Sequence, residues 1–310
     1  MMKYTYNIII KAAAVIVAAF ALSSCLEKYP KDYILDTDAM TSLNGAEQIV
    51  TGIYTAYMSS GLYSGNLTLL PDIQCDLVMA VEGNSNTHGE IYQWTFRPTN
   101  REIESVYAGL YTVIGRCNFY LDQVDELKKT LVNDADIQTL DQYTGEVYCA
   151  RALAYSELIK CFCEAYDESK DQLGVVIRTS YFKEEPVKRA SLKDSYKLVL
   201  DDLAKAFGTD RKISLCRELT KIHEEVMRTS IGEALKIYEE REPRGEYVLV
   251  IEGKDRLEII KEEQDSWLSM TVEEHMEYYM AKGIDKKEAM KMVAKDRGVS
   301  KREIYNLTQK

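Results

Sequence analysis

Leu200-Asp-Asp-Leu-Ala-Lys-Ala-Phe-Gly-Thr-Asp-Arg211 is the stretch on which the fold turns. Up to Ala206 it continues an amphipathic helix that starts at Ser191, with Leu192, Tyr196, Val199, Leu200 and Leu203 recurring on one face. From Phe207-Gly208 onward the chain changes character. Residues 26–206 carry 17 Lys+Arg and 28 Asp+Glu, a net charge of −11, whereas residues 207–310 carry 20 and 22, a net of −2. Charged residues rise from 25% to 40% across that break, and 17 of the 22 tyrosines precede it. Apolar residues make up 46% of the 310, and Gly and Pro together hold 21 positions, which excludes a disordered or low-complexity chain. That length allows roughly two domains. The overall charge of −11 argues against nucleic-acid coating over the whole surface.

The first residues carry an address. Ala12 to Ala21 is an apolar run too short to span a bilayer, flanked as an export signal is. It ends in Leu22-Ser23-Ser24-Cys25, a lipobox: small residues fit the signal peptidase and the Cys25 thiol accepts the lipid. The other cysteines, Cys75, Cys117, Cys149, Cys161, Cys163 and Cys216, show no framework spacing and read as small buried hydrophobes, with no metal site supported.

Between residues 26 and 206 the periodicity is helical. Asn44 stands three before Glu47 in a capping arrangement, and Ile49, Ile53, Ala56 and Tyr57 follow at helical spacing. Val106, Leu110, Val113, Ile114 and Leu121 form a second stripe, and Val147, Leu153, Ala154 and Leu158 a third. Ala80 to Arg101 is polar and reads as a long loop insertion. Such a series predicts an α-solenoid of paired helices that cannot close its core alone. Arg151 is expected to pair structurally with a helix carboxylate, because Glu146 is poorly spaced for a pair on one helix.

Several motifs, in order, resemble the SusD/RagB family of outer-membrane nutrient-binding lipoproteins. They are the lipobox, Cys25-Leu-Glu-Lys-Tyr-Pro30, Ala46 to Tyr57, Tyr111-x-x-Ile114-x-x-x-Asn118, Glu146-x-x-x-x-Arg151-Ala-Leu-Ala-Tyr155, and Arg189-Ala-Ser191 to Asp202-Leu-Ala204. Tyr107 departs from the pattern, standing where such proteins usually carry a Trp. The resemblance implies a TPR-like solenoid, lipid-anchored at the outer membrane through Cys25. It also implies capture of a glycan or peptide ligand for a TonB-dependent transporter, expected here to be impaired because the later part of the fold is missing. Sugar capture sets aromatic faces against the ring, with amides around the hydroxyls. Tyr92, Trp94 and Asn100 are the glycan-binding candidates, and Phe96, Asn84, Asn86 and His88 have suitable chemistry beside them.

Beyond the break, Lys212 to Cys216 reads as a short strand, Ser230 to Glu240 as a helix, Pro243-Arg-Gly245 as a turn and Glu246 to Ile251 as a buried strand. Asp255 to Met270 reads as a charged linker. Thr271 with Glu274, then Asp285, cap two further helices, and Gly298 and Ser300 open a helix-turn-helix pattern. Phe207-Gly-Thr-Asp-Arg211, Arg217-Glu-Leu-Thr-Lys221-Ile-His-Glu-Glu225 and Gly245-Glu-Tyr-Val-Leu-Val-Ile-Glu-Gly253 closely resemble the C-terminal part of the RsmI family. Its members are small-subunit rRNA (16S) cytidine 2′-O-ribose methyltransferases of the tetrapyrrole-methylase-like fold.

This second resemblance implies that Arg217, Glu218, Thr220 and Lys221 are remnants of the methyltransferase cleft. Residues 1–206 offer no counterpart to that family's glycine-rich cofactor subdomain. No methyl transfer is therefore expected, and S-adenosylmethionine would be a cofactor only if that subdomain were present. Lys295, Lys301 and Arg302, with Lys286, Lys287, Lys291 and Arg297 around them, suit phosphate contact, and ribosomal RNA is the implied partner of this end.

The expected architecture is mainly α. A lipoprotein signal peptide occupies 1–25 and a partial SusD-type solenoid 26–206. A partial α/β segment of the methyltransferase type follows at 207–254, then a linker and helix-turn-helix tail at 255–310. One module is addressed to the outer membrane and the other belongs with RNA in the cytoplasm. The chain therefore reads as a chimera, whose intact signal carries everything behind it outward.

Overall fold

Helix caps set the frame. Ser42, two residues before the expected Asn44, starts α1 (Leu43–Tyr57), its hydroxyl accepting from the Gly45 N–H at 3.2 Å. The computed structural model describes residues 39–79, 81, 88–165, 170–181, 188–240, 247–268 and 270–308. The signal segment, Cys25, Asn84 and Asn86 lie outside them. Met1–Thr41 and Ser42–Lys310 form separate units, and the second is described below.

After α1 come α2 (Asn66–Gln74) and a single turn, α3 (Gly89–Tyr92), the latter inside the stretch expected to be loop. α4 (Arg101–Leu121) follows the Asn100 cap, with Glu102 and Glu104 favourably placed against the positive end of its first turn. A short α5 (Val124–Thr130) leads to α6 (Asp134–Phe162), 29 residues long, which packs against α1, α4 and α7 (Leu192–Phe207). α7 begins on the Ser191 cap and stops at Gly208, whose φ of 84° suits glycine. The expected stripes are largely buried. Val106, Leu110, Val113 and Ile114 on α4 and Val147, Ala154 and Leu158 on α6 line the helical core, but Leu153 turns outward, 42% exposed.

Past Gly208 the chain forms β1 (Lys212–Arg217), β2 (Glu225–Ser230), α8 (Ile231–Glu240) and β3 (Tyr247–Ile251), with sheet order β2-β1-β3. Both outer strands run antiparallel to β1, so α8 carries the chain across it. Arg217 faces Glu225 on one side and Tyr247 on the other. β2 was not expected from the sequence. Ile213 and Leu215 of β1 and Ile231 and Ala234 of α8 join Ala152 of α6 and Leu203 of α7 in one buried cluster. The α/β piece therefore closes its core against the helices that precede the break. The strand expected to be buried, β3, is covered on one face only: Val248 and Val250, with Val226 of β2, lie on the opposite, exposed side.

A further correction concerns the expected linker, which forms α9 (Arg256–Leu268). Three capped helices follow: α10 (Val272–Ala281), α11 (Lys286–Asp296) and α12 (Lys301–Leu307). Thr271 with Glu274 and Ser300 with Glu303 make full capping boxes. Val272, Met276, Ala289, Met290, Val293, Ala294 and Ile304 form their shared core. The six cysteines among the described residues are free thiols. Cys75 and Cys161 are exposed rather than buried, while burial pushes the Cys117 thiol up to about 12.

Candidate functional site

The motif residues of the helical part converge on one buried polar network. Arg151 of α6 is 3% exposed, Asp202 of α7 is 0% and Asn118 of α4 is 1%. Arg151 donates through Nε and Nη2 to the two oxygens of Asp202, both at 2.7 Å, and through Nη1 to Asn118 Oδ1 at 2.8 Å. Burial works against the charged guanidinium, but the Asp202 hydrogen bonds and charge outweigh it and hold its pKa above the ordinary value. Asn118 Nδ2 donates onward to the Arg178 carbonyl at 2.9 Å.

Two tyrosines complete the stitching. Tyr155 OH donates to the Arg178 carbonyl at 2.7 Å and accepts its N–H at 2.8 Å, and Tyr111 OH does the same with Val176 at 2.9 and 3.1 Å. Side chains thus satisfy an extended backbone segment that a neighbouring strand would otherwise serve. Burial raises the Tyr155 phenol to about 12, so it stays protonated as this role requires. Its Arg151–Asp202–Asn118 centre is buried and ties α4, α6 and α7 together.

The candidate glycan residues fall on the turn between α3 and α4. Trp94 is 62% exposed and sits at φ 57°, the left-handed C′ position of the cap that ends α3, with its N–H donating to the Ile91 carbonyl at 3.2 Å and the Thr95 N–H to that of Glu90 at 2.9 Å. Its ring lies 6.2 Å from Phe96, tilted by 43°, so two aromatic faces stand together at the surface. Tyr92, the last residue of α3, is half-buried. Asn100 caps α4, with Oδ1 accepting the Ile103 N–H at 3.1 Å while Nδ2 reaches Glu90 at 3.4 Å. His88 is half-buried, next to α3.

Arg217, Glu218, Thr220 and Lys221 gather at the β1–β2 connection. Glu218 and Thr220 have φ of 50° and 66°, so the tip is strained at two non-glycine positions. Lys221 pairs with Glu218 at 3.3 Å, Arg217 stands 3.5 Å from Glu225, and the Thr220 N–H donates to Glu224 at 2.8 Å.

In the tail, Lys295, Lys301 and Arg302 are exposed on either side of the Gly298 turn, where φ is 64°. Arg297 is the exception among the expected basic contacts, because it points inward. Its Nη2 donates to the Met270 and Thr271 carbonyls at 2.6 and 2.8 Å and its Nε to His275 Nδ1 at 3.2 Å. His275 has no exposed side-chain surface, stacks on Trp267 at 4.1 Å, and holds Nε2 3.4 Å from Asp296.

Burial, then the Arg297 charge, lower the His275 pKa below 6.5, with Asp296 opposing them. The folded tail therefore prefers neutral imidazole. Its stability should be complete above about pH 6.5 and decline as pH falls through the lower folded value, because the unfolded chain binds the proton more readily. Thermal melts from pH 7 to 5 should show this loss, and His275→Gln should flatten it. An unchanged slope in that variant would assign the loss to another group.

Among the described residues no cluster of His, Cys, Asp and Glu is placed to hold a metal ion, and no helix is long and apolar enough to cross a membrane.

Helices locked by a buried Arg–Asp pair, with an aromatic turn held at the surface, make the helical part a scaffold of the SusD type. Residues 29–209 match the SusD-like family described as starch-binding and associating with the outer membrane, and the chain belongs to that family. A second similarity lies on the same chain. Ribosomal RNA small subunit methyltransferase I of Halalkalibacterium halodurans is 40% identical over 144 residues, covering 46% of this chain and 45% of that protein. Its counterpart from Bacillus subtilis is 44% identical over 110 residues, covering 36% and 37%. The chain thus spans less than half the length of these relatives. Neither the residues before the SusD-like match nor residues 210–310 after it can hold an alignment of 144 residues, so the two similarities overlap on this chain. A SusD superfamily structure from Bacteroides fragilis aligns with a TM-score of 0.48 at 20% identity, covering 83% of this chain and 50% of that one.

Proposed function

We propose that this chain is a lipid-anchored glycan-binding protein of the outer membrane that holds its ligand against Trp94. The observation that carries the reading is the exposed Trp94 ring beside the exposed Phe96 ring. A sugar ring laid on the indole face buries its own apolar C–H face, and Tyr92 and Asn100, on the same turn, are the further candidates for contact. Membership of a starch-binding, outer-membrane-associated family supports the ligand class and the location. Cys25 supplies the anchor, and a TonB-dependent transporter is the partner that receives the ligand.

Trp94→Ala is expected to weaken binding to soluble starch by at least tenfold in affinity electrophoresis. Circular dichroism should stay unchanged, because the removed ring lies mostly in solvent. Equal retardation of variant and parent would remove Trp94 from the site. Cys25→Ser is expected to move the protein from the membrane fraction to the soluble fraction of export-competent cells. Membrane retention of that variant would refute the anchor.

One observation favours a second reading for the tail. Lys295, Lys301 and Arg302 form an exposed cationic group across a helix–turn–helix connection, suited to RNA phosphates. Nitrocellulose binding of small-subunit rRNA, lost on their joint replacement by alanine, tests it.

A further inference from the structure

We propose that the cavity where α6 and α7 meet the sheet is a binding site for an uncharged fused-ring aromatic molecule of about the size of indole. The cavity holds about 300 Å³. Four elements each contribute a leucine to its wall: Leu200 from α7, Leu215 from β1, Leu235 from α8 and Leu249 from β3. Leu200, Leu235 and Leu249 are only half-buried at the meeting of helices and sheet, because their inner faces border open space. Apolar cavities of about half this volume stay dry and take up benzene, so this one has room for a second fused ring.

Ring geometry selects flat over branched ligands. Tyr238 and Tyr247 line the cavity edge-to-face, with centroids 5.9 Å apart and planes at 88°, and together offer a π-face and a ring edge to an aromatic guest. The lining also includes Lys193, Lys197 and Glu239, charges of both signs, with Lys197 paired to Asp201 at 3.3 Å. A charged guest would gain little there while losing its hydration. Ser156 and Glu239 supply acceptors for one ring N–H.

The walls come from both sides of the break. Ser156 and Leu200 lie within the SusD-like match, and Leu215, Leu235 and Leu249 lie beyond it. The site therefore arises only where the two parts of this chain pack together.

The full chain titrated with indole tests the proposal. At about ten times its dissociation constant, indole should raise Tm by about 2–5 °C. Intermolecular nuclear Overhauser effects should connect indole protons to leucine methyl groups. Leu235→Trp, which places an indole ring in the cavity, should raise Tm without ligand and weaken indole binding at least tenfold. Leu249→Phe serves the same purpose if the first variant does not fold. No Tm response in the parent chain, binding without the leucine contacts, or undiminished binding in a folded filling variant would overturn the assignment.

Discussion

Replacing Asp202 with alanine is expected to lower the unfolding free energy by about 3–5 kcal/mol, because it strands a buried charge rather than deleting a contact. Arg151 is 3% exposed, and both of its parallel hydrogen bonds to Asp202 measure 2.7 Å. Without the carboxylate, the guanidinium keeps the Asn118 oxygen at 2.8 Å and Tyr148, whose ring centre lies 5.4 Å away. The damage should spread, since the same Asn118 holds the Arg178 carbonyl and the extended segment beside it. Urea titration followed by far-UV circular dichroism measures the loss. A double variant, Arg151→Met with Asp202→Leu, should recover much of it by replacing the ion pair with apolar packing. A cost below about 1 kcal/mol for Asp202→Ala would mean that water reaches the pair and that the network is not what joins the helices.

Tyr111, Asn118, Arg151, Tyr155 and Asp202 were visible in the sequence as motif residues, but their pairing and the Val176 and Arg178 backbone they hold were not. Arg151 and Asp202 are 51 residues apart and on different helices, and no local pattern relates them. What could be read locally was read: stripes at helical spacing, the Ser191, Thr271, Asp285 and Ser300 caps, and the β-branched run that became β3. The misses share a physical cause. β2 is an edge strand with no fully buried residue, and Met227 alone of its apolar residues packs on the shared core, so Glu-Val-Met-Arg-Thr-Ser lacks the apolar alternation of a strand with one buried face. α9 carries six charged residues in thirteen, four of them acidic, and its composition matched a linker as well as a helix. At the candidate site the residue types were legible, but Trp94's left-handed backbone depends on the cap of α3, where its N–H donates to the Ile91 carbonyl and the Thr95 N–H to that of Glu90. Arg297 looked like its basic neighbours until the fold turned it onto the carbonyls before α10.

Ile231→Ala should destabilise the helices before the break as much as the sheet after it. Ile231 is fully buried in the cluster that joins Ala152 and Leu203 to Ile213, Leu215 and Ala234. Trimming it to alanine removes apolar contact and leaves a void, a change that costs about 2–5 kcal/mol in a well-packed core. If the sheet were an appendage, that loss would stay on its own side. Because Ala152 belongs to α6, whose neighbours include α4, the loss should be transmitted to the helices. Cys117 supplies a reporter inside α4, being a free thiol with no exposed surface. Its labelling by a thiol reagent requires the helical part to open. Under denaturant-dependent labelling resolved by peptide mass spectrometry, Ile231→Ala should lower the opening free energy at Cys117 by the same amount as the global value from circular dichroism. Protection of Cys117 that does not change while the sheet loosens would mean two cores, and the two similarities would then sit side by side on one chain without folding as one.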